Sequence, residues 1–140
     1  MATVFQKPKA LTSAPLHYCP GCTHGIVHRL VAQAIDELGV EGRTVGVASV
    51  GCSVRCADGQ MAPTSLPGQI TQTTPYGRDT DTAGYPVKVC ELLSTLDGVA
   101  FAQRVTVDCV KNVNIARRAI KKAFQNQLDG KGYSIVEVLS

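Results

Sequence analysis

Cys19-Pro20-Gly21-Cys22 stands directly ahead of the first amphipathic run of the chain, and this pairing constrains the fold more than any other feature. Proline fixes φ and glycine opens the left-handed region, so the two residues between the thiols favour a tight turn. Two thiolates on such a turn can grip one metal centre. A third thiol, in Gly51-Cys52-Ser53, sits on a glycine-flanked loop and can reach the same centre. Sulfur ligands of this kind suit zinc or iron.

Behind the turn, Ile26, Val27, Leu30, Val31, Ala34, Ile35 and Leu38 recur at three- and four-residue steps, the stripe of a helix over His24 to Leu38. Gly39 follows where a left-handed cap would end it. Residues 1–16 show no period and read as an extended arm. Thr44 to Ala48 reads as a short strand, with the Gly51-Cys52-Ser53 loop at its C-terminal end, where open α/β sheets bind ligands. Residues 55–82 are rich in Pro, Gly and Thr and show neither helix nor strand period. A loop that long is uncommon inside a compact domain.

Order returns at Pro86, which suits a first helical turn, followed by an apolar stripe through Val87, Cys90, Leu93 and Leu96 or the nearby Leu92. Ala100 to Val107 reads as a strand. Asn112 is placed to cap a helix running through Val113, Ala116, Ile120, Phe124 and Leu128, with Gly130 just beyond its end. Tyr133 to Leu139 is a last strand. The order α-β-loop-α-β-α-β predicts the α/β class, a parallel sheet covered by helices, in a single domain over 17–140.

Composition narrows the function. Hydrophobic residues make up 44% and charged residues 18%, which suits a packed core rather than disorder. A formal charge of +3, 5% aromatic residues and no Trp give neither a nucleic-acid footprint nor a stacking platform. No apolar run approaches membrane-spanning length, and residues 1–10 hold no signal-type apolar core, so a cytoplasmic protein is expected. There, six cysteines read as thiols or metal ligands rather than disulfides.

Three segments in order, HYCPGCTHGIVHRL, RTVGVASVGCS and GQMAPTSLPGQITQTTPYGRD…GYPVKVCELL, resemble the beta subunit of 2-oxoacid:ferredoxin oxidoreductases, nearest the 2-ketoisovalerate branch. The resemblance runs from Tyr18 to Ser140. It implies a thiamine-diphosphate-binding fold, and oxidative decarboxylation of a branched-chain 2-oxoacid to an acyl-CoA. It implies thiamine diphosphate with Mg2+ and a [4Fe–4S] cluster as cofactors. The implied partners are alpha and other subunits, ferredoxin, the 2-oxoacid and CoA. Cys19, Cys22 and Cys52 fall on cluster-ligand positions of the family, and Ser53 lies near its thiamine cofactor.

The chain departs from that pattern in three places. The family carries several dozen residues between its GCS loop and its GQMAPT segment, including the Gly-Asp-Gly motif that holds magnesium and diphosphate. Here Val54 runs through Arg55-Cys56-Ala57-Asp58 straight into Gly59-Gln60-Met61. The fourth cluster cysteine of the family lies after its last strand, whereas this sequence ends at Ser140. Thr23 stands where the family has glycine, which would strain the backbone if that position needs positive φ. A divalent cation on a pyrophosphate needs several oxygen ligands, and Asp58 is the sole acid of the joined loop, so weak or absent binding of thiamine diphosphate is expected.

Other readings stand beside these. Cys19-x2-Cys22 with Cys52-x3-Cys56 fits a four-thiolate zinc or iron site, with Cys56 as a substitute fourth ligand, and a CxxC pair also forms redox disulfides. Cys52 fits a small buried thiol, and Cys90 and Cys109 read as core or loop thiols. His24 opens a helix, where it can face cofactor phosphates, or cap or meet solvent instead. His24 and His28, one turn apart, lack the acidic partner of a metal motif. Arg117, Arg118, Lys121 and Lys122 form a basic helix face, read first as solvated and second as a contact for ferredoxin or CoA phosphates. No catalytic nucleophile arrangement follows from spacing. A non-catalytic remnant and a small metal-binding or electron-transfer module are the two alternative functions.

Overall fold

The computed structural model describes residues 6–15, 18, 22–46, 68, 70, 76–77, 79–83, 85 and 88–139. They fall into two compact units, one of Met1–Val45 with Val89–Ser140 and one of Gly46–Lys88. In the second, the described residues form a single short helix, α2, Thr80–Ala83. The rest of the predicted Pro- and Gly-rich loop lies mostly outside the described residues.

The first unit opens with α1, His24–Leu38. Its bounds match the sequence stripe. Thr23 precedes it at φ −75°, an ordinary helical value, so the threonine brings no strain. Gly39 ends it at φ 62°, with its N–H donated to the Asp36 carbonyl and the Val40 N–H donated to the Ile35 carbonyl. That pair of bonds satisfies carbonyls the helix would otherwise leave open, and buried Val40 seals the cap from outside. A short 3-10 turn, Glu41–Arg43, follows. The strand predicted from Thr44 is not formed at Thr44, Val45 or Gly46, and Val47 and Ala48 lie outside the described residues. Val45 is 88% exposed, so no pleated surface holds that segment.

The arm is not extended in its described part. Residues 6–15 turn back, with the Leu11 N–H donated to the Pro8 carbonyl. The Asp36 carboxylate accepts the backbone N–H groups of Lys9 and Ala10, and Pro8 is buried. A carboxylate late in α1 thus ties down a segment with no secondary structure of its own.

Helix α3 is Val89–Leu93, shorter than the predicted stripe. Cys90 is buried, but Leu92 and Leu96 are exposed. The hydroxyls of Ser94 and Thr95 donate to the carbonyls of Glu91 and Leu92 just past the helix end. Strand β1, Val99–Thr106, then leads through α4, Val110–Leu128, to strand β2, Tyr133–Leu139. β1 and β2 pair in parallel, from Val99 opposite Tyr133 to Thr106 opposite Leu139. A parallel pair needs a crossover, and α4 supplies it. Among the described residues this is a two-stranded parallel α/β arrangement. Asn112 does not cap α4. The helix begins after Cys109, and Asn112, already inside it, donates its side-chain N–H to Asp108.

The core lies where α4 packs against both α1 and the sheet. Leu30 and Ala34 of α1, Val105 and Val107 from the β1 side, and Ala116, Ala119 and Ile120 of α4 form one buried cluster. Ala116 is fully inaccessible, which lets the backbones approach closely. Residues alternate sides along a strand, so Arg104 and Glu137 lie on the opposite face of the sheet from Val105 and Val138. There Arg104 forms a two-pronged ion pair with Glu91, both contacts at 2.6 Å, and donates from Nε to Glu137 at 2.9 Å. These bonds, the one to Glu91 first, hold the Arg104 guanidinium protonated more firmly than usual.

At the rim between α1 and α4, Glu37 accepts from Arg117 Nη2 at 2.5 Å and Lys121 Nζ at 2.6 Å. Lys121 and then Arg117 bring the Glu37 carboxyl down from 4.5 to about 2.

Two predictions follow from this packing. A Cβ on Gly132 (φ 122°) would run into the Gly98 carbonyl, which already accepts the Tyr133 N–H, whereas one on Gly130 (φ 65°) meets open space. Gly132→Ala should cost on the order of 2–3 kcal/mol in urea denaturation, and Gly130→Ala about 1 kcal/mol. Equal costs would contradict the close approach. Second, a carboxyl held low in the folded state stabilises it above the unfolded value and loses that contribution as pH falls through 4.5 toward about 2. Glu37 is near the surface, so Glu37→Gln should cost under about 1 kcal/mol at neutral pH. The gap between variant and wild type should close at acid pH; a gap that persists there would contradict the ion-pair origin.

Candidate functional site

The described part of the cysteine turn gathers at the N-terminus of α1. Cys22 is a free, half-buried thiol just ahead of Thr23, and His24 is the first helical residue. Cys22 Sγ and His24 Nδ1 form a hydrogen-bonded pair at 2.9 Å. Two tetrahedral ligands of one zinc, at normal bond lengths, would stand about 3.5 Å apart. The histidine therefore sits as a hydrogen-bond partner of the sulfur rather than as a co-ligand beside it. Such bonds tune a metal-bound thiolate.

Tyr18 completes the group. Its ring stacks on His24 with centroids 5.3 Å apart and planes 24° apart. It also lies against His28, at 5.4 Å, and its hydroxyl pairs with His28 Nε2 at 2.6 Å. One aromatic ring thus bridges two histidines a helical turn apart. His28 is engaged with the tyrosine, not with a metal-binding partner on α1. The sequence offered no role for Tyr18. Its position next to Cys19, six and ten residues before the two histidines, was the available signal.

Cys19, Cys52, Ser53 and Cys56 lie outside the described residues, as does Asp58. The structure therefore brings together Cys22 and His24 of the predicted set, with Tyr18 and His28. Among the described residues no group of three or more His, Cys, Asp or Glu side chains is arranged to hold a metal ion.

The other thiols differ in character. Burial pushes the Cys90 thiol up, which keeps it protonated and inert as core packing. Cys109 is exposed at the start of α4, after β1. Beside it, the Asp108 carboxyl is held low by the side-chain N–H of Asn112 (2.7 Å) and the Thr106 hydroxyl (2.6 Å), so that acid is committed to shaping the strand-to-helix turn.

Two concavities lie near the far end of α1. The larger, about 460 Å³, is lined by Val40, Phe124 and Leu128 with Ser134, whose hydroxyl is buried without a partner among the described residues. The smaller, about 340 Å³, is lined by Glu37, Asn114, Arg117, Arg118 and Lys121. A helix of 15 residues is about 22 Å long, so neither concavity adjoins the Cys22–His24 pair.

No protein-family model matches the chain, and no solved structure matches it. Two curated proteins do. The ketoisovalerate oxidoreductase subunit VorA of Methanothermobacter thermautotrophicus is 34% identical over 208 residues, covering 98% of this chain and 44% of that protein. The subunit VorA of Methanothermobacter marburgensis is 33% identical with the same coverage. This chain spans less than half the length of these relatives. The matched span, 208 residues, also exceeds the 140 residues of the chain, so within it the relatives carry several dozen residues that have no counterpart here. The chain is thus similar, over nearly all of its own length, to subunits of ketoisovalerate oxidoreductases.

Proposed function

We propose that this chain derives from a 2-oxoacid:ferredoxin oxidoreductase, as its beta-type subunit, and that its retained chemistry is sulfur ligation of a [4Fe–4S] cluster by Cys19, Cys22 and Cys52. The observation that carries the proposal is the match to two ketoisovalerate oxidoreductase subunits over 98% of the chain. The geometry of Cys22 supports it: the thiol is free, partly accessible, and fixed at the end of a well-packed helix. A bound cluster would supply one-electron transfer, with ferredoxin as the acceptor. In this reading the protein holds and screens the sulfur. His24 hydrogen-bonds Cys22, Tyr18 packs over His24, and the N-terminal end of α1 offers a positive dipole to an anionic centre. The remaining partners are the alpha and other subunits, a branched-chain 2-oxoacid and CoA.

Thiamine diphosphate fits this chain poorly. Its magnesium needs several oxygen ligands in near-octahedral array. Several described carboxylates are already engaged: Asp36 by the arm, Glu37 by Arg117 and Lys121, Glu91 and Glu137 by Arg104, and Asp108 by Thr106 and Asn112. The several dozen residues missing relative to VorA favour the second reading, a subunit that docks with partners but does not turn over unaided.

Anaerobic reconstitution with iron and sulfide tests the proposal. The full chain should gain visible absorbance and, once reduced, an EPR signal, both lost in Cys19→Ala and Cys22→Ala and kept in Cys56→Ala. A colourless wild type, or colour that survives both losses, would contradict it. Calorimetric titration with thiamine diphosphate and Mg2+ should give no saturable heat, and micromolar affinity would overturn the docking reading.

A further inference from the structure

Helix α4 carries Lys111, Arg117, Arg118, Lys121 and Lys122 and no acidic residue in its length. The sequence alone favours a solvated face. The structure adds a shape to the charge. Arg117, Arg118 and Lys121, with Asn114, wall a concavity of about 340 Å³ whose remaining lining residue is Glu37 of α1. We propose that this groove is a docking site for carboxylate side chains of an acidic protein partner.

Three observations carry the assignment. The groove already seats a carboxylate: Glu37 lies between Arg117 and Lys121 at ion-pair distances, so the cation spacing suits that group. Donors are left over. Arg117 uses Nη2 on Glu37, which leaves Nε and Nη1, and an ammonium has three hydrogens, of which Lys121 spends one. The side chains of Asn114 and Arg118 make no hydrogen bond or ion pair among the described residues, and both residues are exposed. Charge remains as well: one carboxylate faces three cations. Lys122, by contrast, is committed, with its ammonium 4.5 Å from the centre of the Phe101 ring.

A protein surface fits better than a nucleic acid. Phosphate backbones are gripped by long tracks of cations, whereas here the cations converge on one concavity with an acid inside it. No aromatic residue lines the groove to stack a base. The assignment rests on α1 and α4 alone and is independent of the iron–sulfur reading.

Binding of a short fluorescein-labelled poly-glutamate peptide to the full chain, followed by anisotropy, tests the site. Binding is expected at about 0.02 M salt and should weaken steeply by about 0.3 M, beyond which charges are screened within a few ångströms. Arg118→Glu should weaken it roughly tenfold, while Arg43→Glu, an equal charge change off the groove, should leave it near wild type. Glu37→Gln removes the internal competitor and should tighten it severalfold, with circular dichroism confirming that each variant is folded. No binding at low salt, equal losses in the two charge reversals, weaker binding by folded Glu37→Gln, or tighter binding of a duplex DNA of equal charge would each overturn the proposal.

Discussion

The contact on which the rest depends is the packing of α4 against two partners at once. As the crossover between β1 and β2, α4 makes the parallel pair possible, and its other side receives α1. Alanines at 116 and 119 bring the helix axes close, so Leu30 and Ala34 of α1 join the layer formed by Val105, Val107 and Ile120. Apolar burial of this kind supplies most of the stability of a small domain, at roughly 25 cal/mol per Å² removed from water. The charged contacts at the rim add less energy. Glu37 with Arg117 and Lys121 instead fixes where α1 lies along α4, because both cations must reach the same carboxylate.

That arrangement gives α1 two different ends. Its start presents Cys22 and His24 under the Tyr18 ring, and its last turn holds Asp36 and Glu37, which bind the arm and the basic face of α4. A 15-residue helix separates them by about 22 Å. The Cys22–His24 pair and the Glu37 ion pairs thus occupy opposite ends of one element.

Much of this was legible from periodicity. The α1 stripe and Gly39 placed the helix to the residue, and the strands read at Ala100 to Val107 and Tyr133 to Leu139 match β1 and β2 within a residue. Where hydroxyls and amides compete for the backbone, the pattern misled. Asn112 looked like a cap but serves Asp108 from inside the helix, and Ser94 and Thr95 sit at the end of a shortened α3, with Leu92 and Leu96 in solvent. The strand expected from Thr44 had the right residue types but finds no pleated neighbour at its described residues. At the site, the thiols were visible as a motif. The Cys22–His24 bond was not, since residues two apart do not face each other on a helix; it forms because Cys22 precedes the helix. The basic face was equally plain, but its acidic partner Glu37 lies 80 residues from Arg117, and only the fold brings them together.

Native-state hydrogen exchange of the full chain probes the central claim, that α1 is anchored through α4 to the sheet and presents its cysteine end from a rigid base. Amides in the middle of α1, from Leu30 to Ile35, should exchange through the same global opening as those of α4, β1 and β2. Exchange in α1 that is orders of magnitude faster than in α4 would mean that the helix is loosely attached, and the account would fail.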